Sequence, residues 1–80
     1  MLFSKFEIKN LKLKNRIVMA PMCMYSTKGD GLATMWHHVH YLTRAIGEVG
    51  MIIIEATAVE PRGMISPNDL GLYDDKQVEM

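Results

Sequence analysis

The 80-residue sequence predicts an α/β fold, and three observations carry that prediction. Ile17-Val18-Met19-Ala20 is a short apolar run without polar alternation that stops at Pro21. That pattern fits a strand buried on both faces, because proline has no amide to continue a ladder. Met51-Ile52-Ile53-Ile54 is a second such run, extending to about Ala58. Between them Met35, Val39, Leu42, Ile46 and Val49 recur at steps of four, three, four and three, which is one stripe of an amphipathic helix. Strand, helix and strand in that order form a βαβ unit, whose strands are parallel and whose crossover is expected to be right-handed.

The other elements follow in chain order. Phe6-Glu7-Ile8 and Leu11-Lys12-Leu13 alternate apolar and polar residues around Lys9-Asn10, the spacing of a two-residue hairpin. The first buried strand covers residues 16–20. Residues 21–33 are a thirteen-residue loop around Ser26-Thr27-Lys28-Gly29-Asp30-Gly31, longer than a compact domain spends without purpose. Thr34 is a good N-cap for the helix, and Gly50 is placed as its C′ residue. Gly47 then falls inside the last turn, at a cost of up to ~1 kcal/mol. Residues 59–73, with Pro61, Gly63, Pro67 and Gly71, form a second long loop. Asp74 and Gln77 form a capping box for a second helix of less than two turns. Two strands and so short a helix cannot close a core. The chain therefore reads as the first quarter to third of a larger α/β domain, a complete (β/α)8 barrel having ~250 residues.

Composition narrows the function classes. The chain is 49% hydrophobic and 22% charged, with a formal net charge of zero. Lys5, Lys9, Lys12, Lys14 and Arg16 alternate with apolar residues, as the wet face of strands does, so no nucleic-acid or membrane partner is expected. No apolar stretch approaches a membrane span, and Lys5 and Glu7 interrupt any signal peptide. A single cysteine fits a reducing compartment, so a soluble, cytoplasmic chain is expected. Eight methionines, mostly in apolar contexts, suit gap-filling.

Two constellations could carry chemistry. Pro21-Met22-Cys23-Met24-Tyr25 ends the first strand, and Glu55-Ala56-Thr57 lies at the same end of the second. Parallel strands bring both to one face, where barrel active sites lie. Cys23 reads either as a small buried hydrophobe or as a reactive thiol, and Tyr25 either as a rim aromatic or as a functional phenol. His37 and His40 share a helical face and could join Cys23 in a metal module. Against this, no His-Glu-x-x-His pattern and no second cysteine are present, so capping or packing is the plainer role. No phosphate-binding glycine motif is present. No nucleophile triad can be assembled either, because no acid stands near a histidine at a recognisable spacing.

These stretches together resemble the N-terminal part of an Old Yellow Enzyme-type NAD(P)H:flavin oxidoreductase, in the bacterial branch with cysteine in the flavin loop. The similarity runs through Leu13-Lys14-Asn15-Arg16-Ile17-Val18-Met19, Pro21-Met22-Cys23-Met24-Tyr25 and His37-x-x-His40-Tyr41. It continues through Arg44-Ala45-Ile46-Gly47, Gly50-Met51-Ile52-Ile53-Ile54-Glu55-Ala56 and Asp69-Leu70-Gly71-Leu72-Tyr73. The resemblance implies a single FMN-binding (β/α)8 TIM-barrel domain, of which residues 1–80 are an incomplete N-terminal portion. It implies that Ala20, Pro21, Met22, Cys23 and Ala56 contact the flavin, that Cys23 tunes its redox behaviour, and that Tyr25 binds substrate. The implied reaction passes hydride from a nicotinamide through FMN to an electron-poor alkene such as an α,β-unsaturated carbonyl. No metal is implied, and the full-length parent is expected to be a homo-oligomer. His37 and His40 are not the family's substrate-carbonyl donors, which are expected beyond Met80. Ala20 stands where close relatives often carry serine, so a backbone contact there survives and a hydroxyl contact does not. Two alternatives stay open: a non-catalytic fragment, and the His37, His40 and Cys23 metal module.

Overall fold

The N-terminal hairpin forms as its alternation dictates. The computed structural model describes residues 1–79. Strands β1 (Phe6–Ile8) and β2 (Leu11–Leu13) pair antiparallel, with Phe6 opposite Leu13, Glu7 opposite Lys12 and Ile8 opposite Leu11. Lys9 takes φ 51° in the turn. Leu13 is buried, whereas all five N-terminal basic residues are exposed. The Arg16 guanidinium lies 4.6 Å over the Phe6 ring.

The βαβ unit is present. Strand β3 (Val18–Met19) pairs parallel with β4 (Met51–Ile52), Val18 opposite Met51 and Met19 opposite Ile52. The Ile53 amide continues the ladder to the Met19 carbonyl at 3.1 Å. Helix α1 (Met35–Ile46) makes the crossover. Both strands are shorter than the apolar runs suggest, and the expected single strand to Ala58 is divided. Residues 54–56 leave the ladder, and β5 (Thr57–Ala58) pairs parallel with β6 (Leu70–Gly71) in a separate sheet. The Thr57 hydroxyl donates to the Glu55 carbonyl at 2.9 Å, a local bond that competes with ladder pairing. Residues 59–73, expected as loop throughout, thus contain β6 and also a 3-10 turn at Pro61–Gly63.

Helix α1 starts where expected and ends early. His37 Nδ1 accepts the Thr34 amide at 3.0 Å, the reach-back arm of a capping box. Gly47 is the C-cap, and Glu48 beyond it takes the left-handed φ of 78°. Gly50 is not the C′ residue. Its amide donates to the Ile17 carbonyl at 2.9 Å, which sets the start of β4, and Val49 lies outside the helix. The helix also presents the opposite face from the one its apolar stripe suggests. Met35, Val39, Leu42 and Ile46 are 52–75% exposed, while His37 and His40 are buried. The inward side also carries Tyr41, whose phenol bonds the Glu55 carboxylate and amide beyond β4. Helix α2 (Asp75–Val78) starts with Asp74 and Gln77 as an intact capping box. The buried apolar residues are Leu13, Met19, Ala58 and Leu70.

Candidate flavin-binding wall at the strand ends

The parallel pairing of β3 and β4 carries residues 20–25 and 55–56 to one end of the sheet. Ala20, Pro21 and Met22 are exposed there, Cys23 is a half-buried free thiol, and Ala56 is exposed. Among the described residues, no hydrogen bond engages the backbone groups of residues 20–23. Tyr25 is 50% exposed and holds φ at 53°. A left-handed backbone costs a non-glycine residue roughly 1–2 kcal/mol, so the surroundings must enforce it.

Behind this wall lies a buried polar lattice that the sequence did not reveal. Glu55 is only 3% exposed, although it ends an apolar run. Tyr41 of α1 holds it twice: the phenol donates to Glu55 Oε1 at 2.8 Å and accepts the Glu55 amide at 3.0 Å. Burial pushes the Tyr41 phenol above its ordinary pKa. The Glu55 amide works against that rise, and the Glu55 carboxylate and the Cys23 sulfur add to it. His37 Nε2 lies 3.9 Å from Glu55 Oε1, too far for a hydrogen bond. Its Nδ1 accepts from the Thr34 amide, so the neutral ring carries its proton on Nε2, on the Glu55 side. An acid therefore does stand beside a histidine, contrary to the expectation from spacing. It comes from the end of the next strand, where linear spacing gives no sign of it. His40 stacks on Trp36 with centroids 4.5 Å apart, and Nε2 of both buried histidines is without a hydrogen-bond partner. Capping by His37 and stacking by His40 give both rings structural roles. Among the described residues, no three His, Cys, Asp or Glu side chains converge on a point that could hold a metal.

The long loop after β3 is tied down on its far side. The Thr27 amide donates to the Asn68 carbonyl at 3.2 Å, and Asn68 Nδ2 donates to the Thr27 carbonyl at 2.9 Å. The Gly71 amide donates to the Gly31 carbonyl at 2.9 Å, and Gln77 Nε2 to the Asp30 carbonyl at 3.0 Å. Gly31 holds φ at 71°, and a Cβ there would lie 2.5 Å from Gln77 Nε2. Asp69 anchors the opposing segment. Its carboxylate accepts the Ile65 amide at 2.6 Å and the Ser66 hydroxyl at 2.8 Å. Burial raises the Asp69 pKa, but the Ser66 hydroxyl and the Ile65 and Ser66 amides outweigh it, leaving the carboxyl below its ordinary value.

The model of the NADH:flavin oxidoreductase / NADH oxidase family matches residues 1–80. The chain belongs to this family. Its structure is similar to that of Old Yellow Enzyme from Pichia sp. AKU4542, with a TM-score of 0.89 and 33% identity over 98% of this chain and 20% of that one. The Old Yellow Enzyme homologue NCR from Zymomonas mobilis gives 0.88 and 35% over 98% of this chain and 21% of that one. Morphinone reductase in complex with tetrahydroNAD gives 0.85 and 32% over 95% and 20%. The chain thus spans about a fifth of the length of these flavin-family relatives.

Within the flavin oxidoreductase family frame, the structure brings Ala20, Pro21, Met22, Cys23 and Tyr25 together by sequence adjacency, and Ala56 joins them at the same sheet end through the β3–β4 pairing. Tyr41, Glu55, Asn68 and Asp69 support that wall; Glu55 was placed at the strand end and Tyr41 and Asp69 stand in the family-like stretches, but no supporting role was read for them, and Asn68 was not singled out from sequence. One signal could have found two of them. A lone glutamate closing a run of four apolar residues needs a buried partner, and a tyrosine on the intervening helix is a natural one.

Proposed function

We propose that this chain supplies the opening segment of a single FMN-binding (β/α)8 domain. The enzyme it belongs to takes hydride from a nicotinamide and reduces electron-poor alkenes such as α,β-unsaturated carbonyls. The observation that carries this reading is the wall itself. Small or imino residues with unengaged backbone groups lie at a parallel-strand end, beside a half-buried thiol and a phenol in a strained turn.

The residues fit a flat, hydrogen-bonding ring. Ala20, Pro21 and Ala56 let a planar ligand approach the backbone, and the free amides of Met22 and Cys23 can donate to its edge. Bound FMN supplies the hydride chemistry. Cys23, beside it, tunes the potential through its polarizable sulfur. The Tyr25 hydroxyl, which has no partner of its own among the described residues, donates to the substrate where negative charge develops. The tetrahydroNAD complex of morphinone reductase supports a nicotinamide reductant. The similarity to Old Yellow Enzymes supports the barrel as the setting.

In the complete domain, Cys23→Ala is expected to shift the flavin reduction potential with FMN still bound, and an unchanged potential would remove Cys23 from the flavin's neighbourhood. Tyr25→Phe is expected to raise KM for an enone or lower kcat at unchanged flavin content. Unchanged kinetics would remove the phenol from the substrate site.

A further inference from the structure

We propose that Asn68 is a positioning residue for Tyr25, acting through a two-bond bridge to Thr27 that fixes the left-handed turn presenting the phenol. The functional meaning of this inference rests on the reading of Tyr25 as a substrate-binding group.

Something must hold Tyr25 at its left-handed φ of 53°. Its own hydroxyl makes no hydrogen bond among the described residues, and the side chain is half exposed, so the side chain does not hold it. Upstream, residues 20–23 make no backbone bonds, and the nearest tie is the β3 ladder at Met19, six residues away. Locally, the Ser26 hydroxyl donates to the Met24 carbonyl at 2.9 Å, which shapes the turn without fixing it to the rest of the fold. Downstream, Thr27 lies two residues away and is buried. Both its amide and its carbonyl are engaged by one residue, Asn68, which is 41 positions distant in sequence. This bridge is the non-local tie nearest to the strained tyrosine.

Asn68 is itself firmly mounted. Its amide donates to Ser66 Oγ at 3.2 Å, and that hydroxyl donates to Asp69 Oδ1 at 2.8 Å. Asp69 is 3% exposed, and its other oxygen accepts the Ile65 amide. A buried carboxylate thus orients a serine, which orients the asparagine. The orientation of the Asn68 amide follows from its partner, because only the NH2 group can face the Thr27 carbonyl. Fixed mounts of this kind hold a functional side chain to a productive geometry.

The test uses the isotope-labelled complete domain with FMN bound, and the amide NMR signals of this segment. Asn68→Asp keeps size and the backbone acceptor but sets an oxygen against the Thr27 carbonyl. Asn68→Ala removes only the side-chain arm and is the milder substitution. In the wild type, the Tyr25 amide is expected to show the same fast-timescale order as the amides of α1. In both variants, order at Tyr25 is expected to fall and its signal to move, while the β1–β2 hairpin and α1 signals stay in place. Thr27 amide exchange should rise about fivefold in Asn68→Ala, the consequence of losing one ordinary hydrogen bond. Unchanged Tyr25 order and position in both variants would overturn the proposal and reduce the bridge to a staple between loops. The substrate role of Tyr25 is read separately by Tyr25→Phe kinetics, so its failure is distinguishable from failure of the positioning.

Discussion

Glu48 carries a conformation that its neighbour Gly47 would hold more cheaply. Its φ of 78° places a Cβ-bearing residue in the left-handed region, one position beyond the glycine. The carbonyl of Glu48 accepts Asn15 Nδ2 at 2.7 Å, so the turn is pinned to the start of β3 whatever the side chain. The Lys14–Glu48 ion pair at 3.4 Å is exposed and contributes little. In the complete domain, Glu48→Gly should therefore raise stability by up to about 1 kcal/mol, relief of strain exceeding the added unfolded-state entropy. A lowered urea midpoint would show that the ion pair outweighs the strain. Two residues on, Gly50 has no room: a Cβ would lie 2.5 Å from Asn15 Oδ1 and 2.6 Å from the Asn15 carbonyl. Gly50→Ala should destabilise by about 1–3 kcal/mol, read as a lowered urea midpoint. Asp69 adds a pH dependence. Its folded pKa lies below the ordinary carboxylate value, so its contribution is complete above about pH 4 and is lost as pH falls through the folded value. Exchange of the Ile65 amide should accelerate in that acid window in the wild type. In Asp69→Asn that acid-dependent acceleration should be absent.

The elements are joined by a few specific polar ties. Tyr41 is the main one between α1 and the end of β4, since one phenol serves both the amide and the carboxylate of Glu55. Tyr41→Phe leaves a buried charge and a buried amide each short of a partner, at a cost of about 2–3 kcal/mol. Because the folded phenol has a raised pKa, this tie holds below about pH 10 and weakens as pH rises beyond it. Chemical denaturation of Tyr41→Phe in the complete domain at neutral pH checks the magnitude, and alkaline titration of the same domain with Tyr41 intact checks the sign. The hairpin, the Thr34 N-cap, the Asp74–Gln77 capping box and the parallel pairing of the two apolar runs were legible, because each depends on residues close together or on a strong local pattern. The helix face was not. The stripe Met35, Val39, Leu42 and Ile46 outweighs His37 and His40 in hydropathy, yet it is left exposed while the histidines are buried beside Tyr41, the side chain that bonds the end of β4. The break after Ile53 was hidden for a related reason: a buried Glu55 with a helical partner ends the ladder, and apolar periodicity does not record partners. Strand β6 is two residues long and includes a glycine, too little for any pattern to register. At the candidate site, the placement of Cys23, Tyr25 and Ala56 at one sheet end was legible from their position after apolar runs, whereas the Asn68–Thr27 bridge spans 41 residues and leaves no local sign.

At the scale of the whole molecule, surface area is the controlling quantity. The chain exposes 5968 Å², where a compact 9.1 kDa protein would expose about 4,900 Å². Its radius of gyration is 14.5 Å against about 11.6 Å for a compact chain of this length. Large apolar side chains contribute to the exposed surface: the outer stripe of α1 is exposed, and so are Val18, Ile53 and Ile54 at the βαβ unit. Four buried apolar residues, one of them an alanine, bury too little surface to offset the entropy of ordering 79 described residues. The isolated chain should therefore bind a hydrophobic dye such as ANS at neutral pH and unfold over a broad urea range, with a slope below about 1 kcal/mol/M. It should also retain no flavin colour once FMN has been added and the free flavin washed away, because on the proposed function the strand ends are one wall of a pocket and a flavin needs contacts on several sides to be held. A sharp urea transition without dye binding would mean that the α1 stripe is covered in solution, and sedimentation would then show whether a second copy covers it. Stoichiometric, tight FMN binding by the isolated chain would overturn the one-wall argument and place the whole recognition surface within residues 1–80.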